Sequence, residues 1–277
     1  MAVDRLPLAL RRARPPRLLA LSSGWLGWLL PLALLAAWDL TTRLGLVAPH
    51  LLPAPTLVLR EVGDLWRDGT LLEHLGVTLW RVITGFFLGT LAATVLGALT
   101  GYSRTAHQLL DPTLQAIKAV PSLAWVPLFI LWLGIFEASK VTLIAVGAFF
   151  PVYLNLSTAI GQVDRKLIEV GRMYGLSHLA LVRRVLLPAT LPAYVTGLRG
   201  GLALAWMFVV AAELMGASQG LGFLMLDGQM TGRPALIIAS LILFALLGKA
   251  TDMALAHATS PWLRWQDGFA RMQRGER

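Results

Sequence analysis

Six runs of roughly twenty predominantly apolar residues recur along the chain, at 24–42, 82–100, 119–136, 141–160, 194–214 and 235–253. A helix of about 20 residues rises about 30 Å, the thickness of a bilayer's hydrocarbon core. A soluble domain carries about 25% charged residues; this chain has 14%, which fits a protein solvated mostly by lipid. The expectation is an all-α polytopic membrane protein with six transmembrane helices. Pro31 in the first run, and Pro121 and Pro127 in the third, predict kinks whose freed carbonyls neighbouring helices or water must satisfy. Only 137–140 separates the third and fourth runs, which predicts a tight hairpin there.

The net charge of +9 raises the question of nucleic acid as a partner. The basic residues, however, sit in the short segments between apolar runs and form no single amphipathic surface. That is the distribution by which a bilayer protein is oriented, because Lys and Arg are retained on the cytoplasmic side. Arg5, Arg11, Arg12, Arg14 and Arg17 oppose only Asp4 before the first run, and Arg165, Lys166, Arg172, Arg183 and Arg184 outnumber Asp164 and Glu169 after the fourth. The connector 43–81 instead balances its arginines with Glu61, Asp64, Asp68 and Glu73. Basic excess thus falls on alternate connectors, which places both termini in the cytoplasm. The expected division is a basic cytoplasmic arm at 1–23, a transmembrane region at 24–256, and a cytoplasmic tail at 257–277. The first run is too long for a signal-peptide core and ends in Trp38-Asp39-Leu40 without a small-residue cleavage site, so it reads as an uncleaved span. Without cysteine there is no disulfide, thiolate metal site or cysteine nucleophile.

Two connectors carry structure of their own. In the first, Thr56 is positioned to cap a helix over 57–66 that Asp68-Gly69 ends. In the fourth, 164–188, Asp164 caps a short helix, Gly175 supplies a residue able to take positive φ, and Ser177 caps a second helix over 178–187 that Pro188 closes. Leu167, Ile168, Val170 and Met173 are its expected apolar contacts. The result is an amphipathic, basic helix–turn–helix on the cytoplasmic side.

The spacing within this loop resembles the permease subunits of binding-protein-dependent ATP-binding-cassette importers. Their signature runs Glu-Ala-Ala, three residues, Gly, nine residues, Ile, one residue, Leu-Pro. Here Glu169-Val170-Gly171, Gly175, Val185, Leu187 and Pro188 keep every spacing, with both alanines and the isoleucine replaced. The likeness continues in Leu52-Pro-Ala-Pro55, Leu109-Leu-Asp-Pro112, Val120-Pro-Ser-Leu-Ala-Trp-Val-Pro127, Leu131-Trp-Leu-Gly134, Gly147-Ala-Phe-Phe-Pro151, Gly197-Leu-Arg199, Ala212-Glu213, Gly216-Ala-Ser218, Gly220-Leu-Gly-Phe223 and Leu246-Leu-Gly-Lys249. These segments are most similar to the branch that imports aliphatic sulfonates, taurine, nitrate and related small anions, and within it to the aliphatic sulfonate permeases.

The resemblance implies a type I importer permease fold in a bacterial inner membrane. It implies a homodimer forming the translocation path, a cytoplasmic ATPase dimer and a periplasmic substrate-binding protein. ATP and Mg would be bound by the ATPase, with no cofactor on this chain. The residues that would couple to the ATPase are Glu169, Gly171, Arg172, Gly175, Leu176, Ser177, Val185, Leu187 and Pro188. A taurine or nitrate permease is the alternative, and an ion-gradient secondary transporter a more distant one, because the central runs carry almost no charge.

Trp125, Trp132, Arg199, Trp206 and Glu213 are the candidates for the substrate path. Arg199 and Glu213 are ionisable residues at the ends of a span, which marks them for a role. Fourteen residues apart, they are about 21 Å apart along a helix and cannot pair with each other. An arginine matches sulfonate oxygens bidentately, yet it also snorkels readily to headgroups. Gly216–Gly222 is glycine-rich but lacks the Lys-Ser/Thr of a phosphate loop, and reads as a turn before the sixth run. Gly85, Gly89, Ala93 and Gly97 form a small-residue stripe that permits close helix contact, within the chain or across a dimer. The histidines are scattered without ligand spacing, and no catalytic set converges.

Overall fold

The computed structural model describes residues 23–263 and 265. The basic arm and most of the tail lie outside the described residues. All described secondary structure is helical, and the chain divides into a unit ending at Pro55 and a larger one from Thr56 onward.

The first unit is α1 (Ser23–Arg43) and the segment after it. Trp28, Leu29, Leu30, Leu32, Leu34 and Leu35 are all exposed, as befits a helix solvated by lipid. Asp39 and Arg43, one turn apart, pair at 2.7 Å, and Trp38 Nε1 donates to the Pro53 carbonyl at 3.0 Å.

In the larger unit, α2 (Pro55–Arg67) is the expected short helix, begun slightly earlier, with Gly69 at φ 74 ending it. Next comes α3 (Thr70–Tyr102), whose 33 residues run well past the expected 82–100. Among the described residues, four helices are long and apolar enough to cross a membrane, or five if one bent pair is a single span. The expected six would also require α1.

That bent pair takes in the expected third span, 119–136, together with a helix in the expected connector before it, and it is not one continuous helix. Ser103, whose Oγ accepts from the Ala106 N–H at 3.2 Å, caps α4 (Arg104–Ala119). The chain then breaks at Val120-Pro121, makes one 3-10 turn at Ser122–Trp125, and resumes as α5 (Val126–Leu133) at 90° to α4. Pro121 has no N–H to donate and disfavours helix at the residue before it, so the helix ends there. The expected hairpin at 137–140 is instead the first turn of α6 (Glu137–Gly161).

The centre of the unit is α3, α6 and α9 (Leu187–Leu214). Cβ atoms placed on Gly85, Gly89, Gly97 and Gly101 would run in order into Ile144, Ala145, the Tyr153 carbonyl and Ile160. That ordering makes α3 and α6 parallel. The stripe read as intramolecular or intermolecular is therefore an intramolecular seam. A second seam joins α6 to α9 antiparallel, with Gly147 under Phe208, Gly197 against Pro151 and Val152, and Gly201 against Ala148. Lipid supplies no hydrophobic drive between spans, so backbone-close packing of this kind is what holds them. Val82, Ile144, Ala148, Val152 and Val209 are wholly buried along the seams.

An ion cluster, buried except at Glu137, ties one end of the three helices together. The Arg81 guanidinium, 2% exposed, donates through Nε and Nη2 to both oxygens of Glu137 at 2.6 Å. Its Nη1 donates to Glu213 Oε1 at 2.9 Å and to the Gln219 carbonyl at 2.7 Å. Glu213, fully buried, also accepts from Thr78 Oγ1 at 2.8 Å and the Gly222 N–H at 2.7 Å. The glycine-rich segment is thus a strap over this carboxylate. A Cβ on Gly220, at φ 116, would fall 2.5 Å from Glu213 Oε1, and one on Gly222 would meet Glu213 Cβ at 2.6 Å. Beyond the strap, α10 (Leu221–Met230) and α11 (Pro234–Thr259) complete the unit. Arg233 pairs with Glu61 of α2.

Two measurements check this account. Gly89→Leu drives a side chain into the Ala145 backbone, and the purified variant should lose at least about 3 kcal/mol of stability or fail to give a monodisperse protein. Arg81→Met strands the Glu213 carboxylate and should cost about 3–5 kcal/mol, whereas adding Glu213→Leu to it should restore part of the loss. Thermal melts in detergent read both; a double variant no better than Arg81→Met alone would refute the pairing.

Candidate functional site

At the opposite end of the bundle, α6 delivers the chain into the loop 164–188. Twenty residues of α3 separate Arg81 from Gly101 beside the end of α6, a rise of about 30 Å. The ion cluster and the loop therefore lie about one hydrocarbon thickness apart.

Asp164 caps α7 (Arg165–Met173), its carboxylate accepting from the Lys166 N–H at 2.9 Å. The helix ends in a complete Schellman turn. The Gly175 N–H reaches the Arg172 carbonyl at 2.9 Å, and the Leu176 N–H reaches the Gly171 carbonyl at 3.1 Å. Gly175 takes the left-handed conformation this requires, at φ 72. Ser177 Oγ then accepts from the Ala180 N–H at 3.4 Å, at the start of α8 (His178–Leu181). Gly171 is buried, and a Cβ there would meet Leu181 at 2.9 Å, with Leu176 and Val185 just beyond. Glycine at this point lets the two arms of the loop press together as one body.

The second arm does not end at Pro188. A π-helical stretch, Val182–Leu186, follows α8 and leads directly into α9, the Leu187 N–H donating to the Val182 carbonyl five residues back. Proline in a continuous α-helix loses one hydrogen bond and clashes with the carbonyl four residues earlier. The wider π register displaces that carbonyl, so Pro188 is accommodated in the first turn of α9 and the helix runs on. One rigid path thus joins the loop to a membrane-spanning helix.

Of the residues expected to make apolar contacts, Leu167, Val170 and Met173 turn outward and Ile168 is half-buried. Met173 and Tyr174 at its tip are 85% and 83% exposed, and Val170 is 50% exposed. Arg172, Arg183 and Arg184 are exposed beside them, and Glu169 pairs only loosely with Arg165, at 3.9 Å. Gly175 is open: a Cβ there meets nothing within 4 Å. Leu176 and Val185 are half-buried, while Ser177, Leu187 and Pro188 are exposed.

The residues singled out for a substrate path do not converge. Arg199 is held bidentately by Asp252 of α11, at 2.8 Å through both Nε and Nη2. Glu213 is enclosed in the ion cluster. Trp206 Nε1 donates to Thr251 Oγ1 at 2.8 Å and its ring stands edge-on to Phe244. Trp125 stacks on Phe129, and Trp132 is 65% exposed. Sequence reasoning missed Asp252, Arg81 and Glu137. Each is an ionisable group on an apolar helix, the signal that picked out Arg199 and Glu213, but Arg81 and Glu137 were assigned to connectors. Between the loop-side ends of α3, α6 and α9 lies an apolar cavity of about 560 Å³, lined by Val95, Leu99, Leu156, Val182 and Leu186, with Thr94 and Tyr194 bonded at 2.8 Å on its wall.

Comparison with known proteins places this architecture. The chain is 39% identical over 247 residues to a protein of Bacillus subtilis (strain 168) named as an aliphatic sulfonates transport permease, covering 89% of this chain and 90% of that one. It is 37% identical over 242 residues to the Escherichia coli (strain K12) protein of the same name, covering 87% and 92%. The taurine transport system permease protein of Escherichia coli (strain K12) is 32% identical, over 83% of this chain and 86% of that one. Among solved structures, an inward-facing form of the MetNI methionine ABC transporter superposes with a TM-score of 0.61 at 21% identity, over 70% of this chain and 97% of that chain, a likeness of fold. Residues 85–259 match the model of the binding-protein-dependent transport system inner membrane component, and the chain belongs to that family of multi-pass membrane permeases.

Proposed function

We propose that this chain is the transmembrane subunit of an ATP-driven importer for a small organic anion, with aliphatic sulfonates as the cargo. Two copies form the translocation path in a bacterial inner membrane, with both termini in the cytoplasm. A separate ATPase pair binds ATP and Mg, and a periplasmic binding protein delivers the cargo.

The observation that carries this reading is the mechanical character of the loop 164–188. It is capped at Asp164, turned at Gly175 by a Schellman motif, pressed together at Gly171 and continuous with α9. Its exposed tip presents Met173 and Tyr174 amid arginines, an apolar anchor in a basic rim. Anchors of this kind dominate the energetics of protein docking. An ATPase gripping this tip moves a rigid lever, and the lever's far end is a membrane helix. Closure of the ATPase pair draws the two loops together and opens the path outward; hydrolysis resets it. The sulfonate assignment is supported by the identity to the named sulfonate permeases, and taurine transport is the nearest alternative.

In proteoliposomes with the ATPase and binding protein, Met173→Ala with Tyr174→Ala should weaken ATPase association about 10- to 100-fold. The permease's own melting temperature should stay unchanged, because neither side chain packs inside the chain. Gly175→Trp should abolish substrate-stimulated hydrolysis while membrane insertion persists. Gly175→Ala, which adds only about 1–2 kcal/mol of left-handed backbone strain, separates that strain from steric blocking of the interface. Unimpaired transport by Gly175→Trp would sink the proposal.

A further inference from the structure

A second cleft lies at the loop-side end of the bundle, between α4 and the last two turns of α6. It is an open cleft of about 490 Å³, and on one wall Arg104, His107, Asp111 and Gln115 form a stripe along α4, all exposed except the half-buried Asp111. Spacings of three, four and four residues put these side chains on one helical face. Thr158 of α6 and Gln162, just past its end, stand opposite. Both walls thus carry hydrogen-bonding side chains, unlike the apolar cavity nearby.

The charge arrangement within the cleft is specific. Arg81, Lys140 and Arg199 of the spans each sit against a carboxylate. Arg104, the first residue of α4, is exposed, has no carboxylate or hydrogen-bond partner among the described residues, and lines this open cleft. Asp111, the acidic residue of the stripe, is engaged by the Tyr153 hydroxyl at 2.8 Å. It lies two turns from Arg104, about 10 Å along the helix. An unpaired guanidinium offers a planar fork of donors that fits two oxygens of a tetrahedral oxyanion. His107, Gln115, Gln162 and Thr158 offer donors for the remaining oxygens. The Asp111 carboxylate disfavours a second negative charge in the same space.

We propose that this cleft is a binding station for the head group of a monoanionic organic sulfonate, on the coupling-loop side of the membrane, held chiefly by Arg104. The assignment rests on the reading of the chain as an organic-anion permease. It adds a chemical criterion to that reading: a singly charged sulfonate is accepted in preference to inorganic sulfate, which carries two charges. The phosphodiester of an anionic lipid is also a monoanionic oxyanion, so the test separates the two sources.

The full-length chain in phosphatidylcholine nanodiscs is titrated calorimetrically with sodium ethanesulfonate, and separately with sodium sulfate, at constant ionic strength. Ethanesulfonate should bind with a dissociation constant on the order of millimolar, and Arg104→Gln should weaken it about tenfold or more. Thr158→Val, on the other wall, should weaken it about threefold, guarding against a local defect in α4. Asp111→Asn, which still accepts from Tyr153, should narrow or reverse the preference for ethanesulfonate over sulfate. Equal affinity in the parent and Arg104→Gln, or tighter binding of sulfate by the parent, would overturn the station. Nanodiscs containing phosphatidylglycerol that abolish ethanesulfonate binding through Arg104 would assign the cleft to lipid and overturn it as well. Lost ATPase coupling with intact ethanesulfonate binding would count against the proposed function and leave the station standing; the reverse would sink the station alone.

Discussion

Backbone-to-backbone approach along α6 is the constraint on which the rest of the structure depends. With α3 against one side and α9 against another, α6 is gripped wherever a glycine removes the side chain that would separate the helices. Gly147 under Phe208 and Gly89 over the Ala145 carbonyl are the tightest points. In lipid, no exclusion of apolar surface from water would draw these helices together. A dense seam is the substitute, and it fixes the register of all three. The register then decides where polar groups fall. Arg81 meets Glu137 and Glu213 because the seam holds their helices level at that end, and the loop 164–188 emerges level with the foot of α3 at the other.

The ion cluster is a demand as much as a support. A buried carboxylate with one partner removed is costly, while a fully bonded one is close to neutral. Glu213 therefore does not explain why the protein is stable; it explains why its geometry is unique. Thr78, Arg81 and the Gly222 N–H all have to arrive together for the carboxylate to be tolerated. The glycines of the strap serve that closure, since Gly220 and Gly222 both lie where any side chain would strike Glu213.

Much of this was legible in the sequence wherever a local rule governs. Gly175 and Gly69 adopt the positive φ their turns require, and Asp164 and Ser177 cap the helices they precede. The small-residue stripe from Gly85 to Gly97 announced close contact but not its partner, because a stripe says nothing about what faces it. Reading broke down where tertiary structure overrides a local signal. Arg81 looked like the end of a polar connector, but a guanidinium with two carboxylate partners can lie deep in a helix, so α3 began twelve residues earlier than expected. Pro188 looked like a terminator, but the π register ahead of it let the helix continue. Pro121, which has no such accommodation, broke its helix where a kink alone was expected.

The right-angled crossing formed by α4 and α5 has a consequence for how this protein is solvated. Because α3 and α6 run parallel, the chain between them must return across the bundle, and it does so folded at Val120-Pro121. Peptide groups at such a fold are not all satisfied within a helix, and hydrocarbon offers them nothing. Pro121, Leu123 and Ala124 are exposed at this elbow. A lipid tail suits their side chains but offers no hydrogen bond to a peptide group left open at the fold. The elbow therefore specifies its own surroundings, either water admitted to the depth of the fold or another polypeptide closed over it, and a bilayer alone is an incomplete solvent for a single copy of this chain.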